Sequence, residues 1–337
     1  MKKITFSQAI IRFSVLFTSA IVLLLVSSCH YCDDCEGLQP SIVNPNIVNL
    51  SEQRPDDLRN NPYTIWVNDN TLYTINPLAR ITIDNDFRVT QYDMVGTNIR
   101  CDYFTINPAK TKMLLINNAW KGVSLKEYDL TAGTMQDVLD STYNVRSALY
   151  YNDDTIIYVS LAWDDETFKD HHTNYYLYNR LTQESVLLFT SGPNYAIMDY
   201  HIIGFDVHLQ QNKLLIPTRK KGTSSSLIIE YDINMRKADT LNTSFVGELA
   251  CVCYNTTGDE ILYSLNYYDT EIGILNVPAM TKKPLDVNTQ PYVGGSDNFF
   301  PNWSPNEQHI VYASFPVAAP PGGVGKPEIC ILKNINH

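Results

Sequence analysis

Helical periodicity is what this chain most clearly lacks. After residue 28, no window of about 15 residues places apolar side chains at helical spacing, so a helix bundle or a doubly wound α/β sheet is excluded. Long hydrophobic runs are also scarce. One uninterrupted stretch, Ile21-Val22-Leu23-Leu24-Leu25-Val26, lies near the start, and no later segment is long enough to span a bilayer. Cations are few, with 25 Lys and Arg against 36 Asp and Glu, a net charge of -11. An acidic surface disfavours nucleic acid and anionic lipid, because both require cationic counter-charge. No Gly-x-Ser-x-Gly element, Walker loop or His-Glu-x-x-His is present.

What is present at the N-terminus has the charge order of an export signal. Lys2 and Lys3 precede the apolar run, and Val26-Ser27-Ser28-Cys29 closes it. This segment resembles a bacterial lipoprotein signal. The resemblance implies cleavage before Cys29, with lipid on its thiol and on the new amino group, an anchor strong enough to hold a protein on a membrane. The other reading is an uncleaved membrane helix. The uncharged run from Phe13 to Ser28 has 16 residues, short of the roughly 20 that a span requires. Loss of residues 1 to 28 removes Lys2, Lys3 and Arg12 but no acid, so the remaining chain is more acidic still.

Residues 29–40 read as an acidic tether. Asp33, Asp34 and Glu36 resemble the acidic export signal of surface-exposed lipoproteins of the Bacteroidota, and a plain solvated tether is the alternative. Cys32 and Cys35 mimic a metal or redox spacing, but no strand or helix is there to hold ligands. Cys101, Cys251, Cys253 and Cys330 lie in apolar strand-like contexts, where a free cysteine behaves as a small hydrophobe.

The body, residues 41–337, is a repeat. Polar turns follow Asn68, Asn107, Asn152, His208, Asn255 and Ser304, and each leads into an apolar β run such as Lys112-Met113-Leu114-Leu115-Ile116. The intervals between these marks are 39, 45, 56, 47 and 49 residues. A period in the forties composed of strands is that of a propeller blade of four short strands. Third and fourth strands follow in most units, as in Leu227 to Asp232 and Lys237 to Leu241. The sixth unit ends at Glu328-Ile329-Cys330-Ile331-Leu332 without a fourth strand, which Ser41 to Val48 can supply. The expectation is an all-β, six-bladed β-propeller of four-stranded blades closed by an N-terminal strand. A pair of β-sandwiches or a solenoid is the alternative.

Phe300-Pro301-Asn302-Trp303-Ser304-Pro305-Asn306-Glu307, followed by His309 to Ser314, resembles the repeat of TolB-like propellers, with Asn306-Glu307 in place of the usual Asp-Gly. Only this unit carries the Trp-Ser-Pro core. The resemblance implies architecture and a role in binding or assembly, and it carries over no catalytic residue.

In a blade the first strand is innermost, and the loop entering it shares a face with the loop between strands two and three. Seven residues back from the marks lie Asn61, Arg100, Val145, His201, Glu248 and Asp297. If the repeats superpose, these ring the channel mouth, with Asp102 and Arg146 close by in sequence and Trp163 on a neighbouring loop. The candidate binding set is therefore Arg100, Asp102, Arg146, His201, Glu248, Asp297 and Trp163, with Cys29 for lipidation. Against it stands the general polarity of loops, and each tryptophan could equally fill a gap between blades. His171-His172 beside Asp164, Asp165 and Glu166 is not diagnostic of a metal, since neighbours on a strand face opposite ways. No catalytic residue, cofactor or metal is assigned. The leading function is non-catalytic binding of a protein, peptide or glycan at the channel face by a protein lipid-anchored to the outer membrane. The alternatives are a glycan-active lyase or hydrolase using channel carboxylates and histidine, and a cell-envelope assembly scaffold.

Overall fold

The computed structural model describes residues 43–58, 63–75, 77–96, 99, 101, 103–116, 124–163, 171–191, 195–196, 204–220, 223, 225–266, 271–289, 296–318, 323–324 and 326–335. The lipidation candidate Cys29 and the acidic tether lie outside the described residues. Among the described residues no helix is long and apolar enough to cross a membrane.

Six antiparallel sheets follow one another along the chain. Blade one comprises Thr64–Asn68, Thr71–Thr74, Ala79–Ile83 and Val89–Met94, from the innermost strand outward. Blade two comprises Tyr103–Ile106, Lys112–Ile116, Leu125–Asp129 and Thr134–Leu139. Blade three is Val145–Asn152, Thr155–Trp163, His171–Asn179 and Glu184–Thr190. Blade four is built on Asp206–His208, Lys213–Lys220, Ser225–Asp232 and Lys237–Thr240. Blade five is Glu248–Tyr254, Glu260–Asn266, Glu271–Asn276 and Thr281–Pro284. Blade six has Ser296–Trp303, Ile310–Ala318 and Glu328–Leu332, with Ile47–Asn49 from the N-terminal side as its outermost strand. The closing pairs are Ile47 with Leu332, Val48 with Ile331 and Asn49 with Cys330. The ring is therefore closed by an N-terminal strand, as the missing fourth strand required.

The six register marks recur because each caps the turn that follows it. The side chains of Asn68, Asn152 and His208 accept hydrogen bonds from the backbone N–H of Asn70, Asp154 and Gln211 at 3.1, 3.0 and 3.1 Å. Asn107 accepts from Thr111 and Lys112, Asn255 from Gly258 and Glu260, and Ser304 Oγ from His309. A short polar side chain that bonds the backbone just ahead of it ends a strand and starts a turn. A second series went unnoticed in the sequence. Asp129, Asn179, Asp232 and Asn276 end the third strands of blades two to five and cap the next turn in the same way. Gly133, Gln183, Arg236 and Met280 then take positive φ at one equivalent position, the fourth residue beyond each cap.

Each blade is covered on both faces, so its middle strands are continuous apolar runs rather than alternating ones. Successive residues point to opposite faces. Leu214 packs into the cluster between blades three and four, and Leu215 into that between blades four and five. Similar clusters join blades one to two, two to three and five to six. A sixth, with Leu72 and Ile81 against Val311 and Ile331, joins blade six to blade one. The helical turn Leu50–Gln53 follows the closing strand. Leu50 is fully buried in the sixth cluster, and Ser51 Oγ accepts from the N–H of Ile329 at 2.9 Å. Helical turns of this length carry no detectable period, which is why the sequence showed none. The outer edges of blades four and five are polar instead. Lys237–Thr240 and Thr281–Pro284 are exposed throughout, and lysine and proline on an edge strand discourage further pairing.

Buried polar contacts add register between blades. Glu127 of blade two is 1% exposed and binds Arg180 at 2.8 Å and Lys112 at 3.4 Å. It also accepts from Tyr150 at 2.9 Å and Gln136 at 2.9 Å. The arrangement recurs two blades on, where Glu230 binds Lys213 at 2.6 Å and accepts from Tyr254 at 2.8 Å. Burial alone would raise the Glu127 pKa, but the hydrogen bonds from Arg180 and Tyr150 outweigh it and hold the carboxyl below its ordinary range.

Candidate ligand-binding channel

Antiparallel pairing sets which residues share a face. Glu248, the first residue of its innermost strand, pairs with Asn266 at the end of the second strand. Asp297, the second residue of the corresponding strand in blade six, pairs with Phe315. Trp163 ends the second strand of blade three and pairs with His171. Arg146 is the second residue of the innermost strand there, at a register shift between Val145 and Ser147, and is buried. The backbones of Arg146, Trp163, Glu248 and Asp297 therefore lie at the entry end of the ring. Arg100, Asp102 and His201 lie outside the described residues.

Blade four departs from uniform repetition. Its innermost position is filled in two pieces. Tyr195–Ala196 pairs with Lys220 and Arg219, and Asp206–His208 pairs with Leu215 to Lys213.

The innermost strands surround a cavity of about 360 Å³ to which all six blades contribute. It extends from Tyr63 and Tyr103, at the entry ends of blades one and two, to Pro108 and Lys110 in the turn at the opposite end of blade two. Leu149, Gly204, Phe205, Asp206, Cys251, Cys253, Phe300 and Asn302 complete much of the wall. A pocket of this size, with aromatic and aliphatic surface interspersed with Thr105, Asn107, Asn302 and charged groups, has the character of a small-ligand site. Gly204 is required where the chain passes blade five. A Cβ there would lie 2.3 Å from the Ala250 carbonyl oxygen and 2.6 Å from Cys251 Cα.

Among the described residues two charged side chains line the cavity, Asp206 and Lys110. Lys110 is exposed on its turn. The Asp206 carboxylate accepts from the N–H of Tyr254 at 2.8 Å, and from that of Val207. Burial raises its pKa to about 6 despite these two donors. Its charge in turn helps raise Tyr103, Cys251, Cys253 and Tyr254, for each of which burial is the larger cause. Cys251 is pushed up to about 12, so its thiol is protonated and a poor nucleophile. The hydroxyls of Tyr63 and Tyr103 share a hydrogen bond, and their rings lie 4.7 Å apart. Cys101, Cys251, Cys253 and Cys330 are free thiols. Among the described residues no group of three or more His, Cys, Asp and Glu is arranged to hold a metal.

Of the wall residues named, Phe300 and Asn302 fall within the Trp-Ser-Pro unit, Asn107 is itself a register mark, and the others belong to no motif. Their one shared signal is position, in or beside the innermost strands within several residues of a register mark.

The ring of six four-stranded sheets, the closing strand and the axial cavity define a six-bladed β-propeller of TolB-like architecture. No family model matches the chain, and no curated protein matches it. Solved structures do. TolB from Acinetobacter baumannii is 13% identical, with 75% of this chain and 59% of that chain covered at a TM-score of 0.51. An oligogalacturonate lyase in complex with manganese is also 13% identical, over 89% of this chain and 97% of that one, at a TM-score of 0.51. A chain of a nidogen/laminin complex is 10% identical, over 82% and 98%, at a TM-score of 0.52. At these identities the likeness is one of fold.

Proposed function

We propose that this chain is an exported propeller, lipid-anchored to the outer membrane at Cys29, that binds a protein, peptide or glycan at its channel face without catalysing a reaction. The observation that carries the reading is the axial cavity, walled by all six blades and holding one desolvated carboxylate with protonated tyrosine and cysteine side chains around it. Such a site offers shape, aromatic surface and one desolvated carboxylate, which suits recognition. The thiols there are held protonated, so they offer no nucleophile. The signal-like N-terminus supports export, and the acidic tether supports a surface-exposed position.

Cells making the full chain should incorporate labelled fatty acid, and the Cys29→Ala variant should not. Labelling of that variant would overturn the anchor. For binding, the full chain is displayed to peptide and glycan arrays beside Glu248→Gln and Met235→Ala. Glu248 lies at the channel entry, whereas Met235 is an exposed outer-turn residue. Capture should fall at least tenfold in Glu248→Gln alone. Equal capture by the two variants would refute binding at this face.

A further inference from the structure

Asp206 is a desolvated carboxylate in the wall of the cavity. Among the described residues no Lys, Arg or His forms an ion pair with it, and its two hydrogen-bond donors are backbone N–H groups. A desolvated anion in that state gains strongly from a cation brought to it. The wall around it is unusually suited to one. Tyr63, Trp66, Tyr103, Phe205 and Phe300 line the same cavity, and aromatic faces attract cations. Ile65, Val67, Leu149 and Val252 add aliphatic surface along which methylenes can lie, beside the polar side chains of Thr105, Asn107 and Asn302. Lys110, at the turn end, repels a cation approaching from that side.

We infer that the channel admits an alkylammonium group, the side chain of a lysine on a peptide or protein partner, with its charge against Asp206 and its methylenes along the aliphatic and aromatic wall. This rests on the binding reading above and names the group that is read. Among the described residues Lys110 lines the same cavity at its turn end, and the other titratable groups around Asp206 are the uncharged Tyr63, Tyr103, Cys251, Cys253 and Tyr254. These five have raised pKa values, so all are neutral at pH 7 and supply no competing charge.

The test is calorimetric titration of the full chain with three probes at pH 7.5: Nα-acetyl-lysine amide, its neutral analogue Nα-acetyl-norleucine amide, and glucosamine. The lysine probe should bind at least tenfold more tightly than the other two. Asp206→Asn, checked for folding by its thermal transition, should remove that advantage. Binding of the lysine probe should weaken about tenfold at pH 5, where Asp206 is mostly protonated. Four results would overturn the inference: no binding of the lysine probe, equal binding of the norleucine probe, preference for glucosamine, or an unchanged advantage in Asp206→Asn. If any of these occurs while array capture still depends on Glu248, the lysine inference alone fails. If array capture is indifferent to Glu248→Gln, the binding reading fails with it.

Discussion

Replacing Asp206 with Asn should stabilise the protein, and by an amount that depends on pH in a defined way. Folding raises the pKa of Asp206 from 3.8 to about 6, because the channel desolvates its charge more than the N–H groups of Tyr254 and Val207 compensate. Below pH 3.8 the side chain is protonated in both folded and unfolded chains. Between 3.8 and 6 the unfolded chain ionises while the folded one keeps its proton, so stability falls as pH rises. Above 6 the loss is complete. About two pKa units at 1.36 kcal/mol each give roughly 3 kcal/mol. Asparagine cannot ionise, and its Oδ1 can still accept from Tyr254. Its amide group meets Val207 N–H poorly, but that cost does not vary with pH. The stability difference, variant minus wild type, should therefore grow by about 3 kcal/mol from pH 3.5 to pH 7.5. For a domain of this size that is about 6 °C in Tm. Thermal melts of both proteins across this range provide the measurement, since other titrations are common to both and cancel. A difference that stays flat, or that shrinks as pH rises, would refute the account of Asp206 as a desolvated charge.

Two further predictions concern the ring itself. Glu127→Ala should lower stability by roughly 3 kcal/mol, because it leaves Arg180 and Tyr150 without their carboxylate acceptor at a buried interface; a denaturant midpoint equal to that of the wild type would show that the network contributes little. Deletion of residues 43–49 should expose Glu328–Leu332 as an unpaired edge, lower the Tm and produce oligomers in size-exclusion chromatography, whereas a monomer of unchanged Tm would mean that the closing strand does not secure the ring.

The repeat was legible because its signals are local. A side chain such as Asn107 or Asn255 bonds backbone groups within five residues, so the turn it forms is written in a short stretch of sequence. The doubled apolar runs, such as Leu214-Leu215, follow from a sheet covered on both faces and need no knowledge of what covers it. The closing strand was legible by subtraction, since a sixth unit with three strands leaves one edge to fill. Blade four was not legible in the same way. Two short strands, Tyr195–Ala196 and Asp206–His208, both pair with Lys213–Lys220, and only the turn signal at His208 was local.

The sequence by itself determined the architecture: six blades, their turns and the closing strand, because strand period and turn chemistry act over a few residues. It also carries the lipoprotein-like N-terminus. Only the tertiary structure decided the channel. Tyr63, Tyr103, Asp206, Cys251 and Phe300 come from five blades and lie up to 237 positions apart. They meet because six inter-blade clusters bring the ring to closure. The desolvation that perturbs Asp206 arises from that convergence, and no stretch of neighbouring residues encodes it.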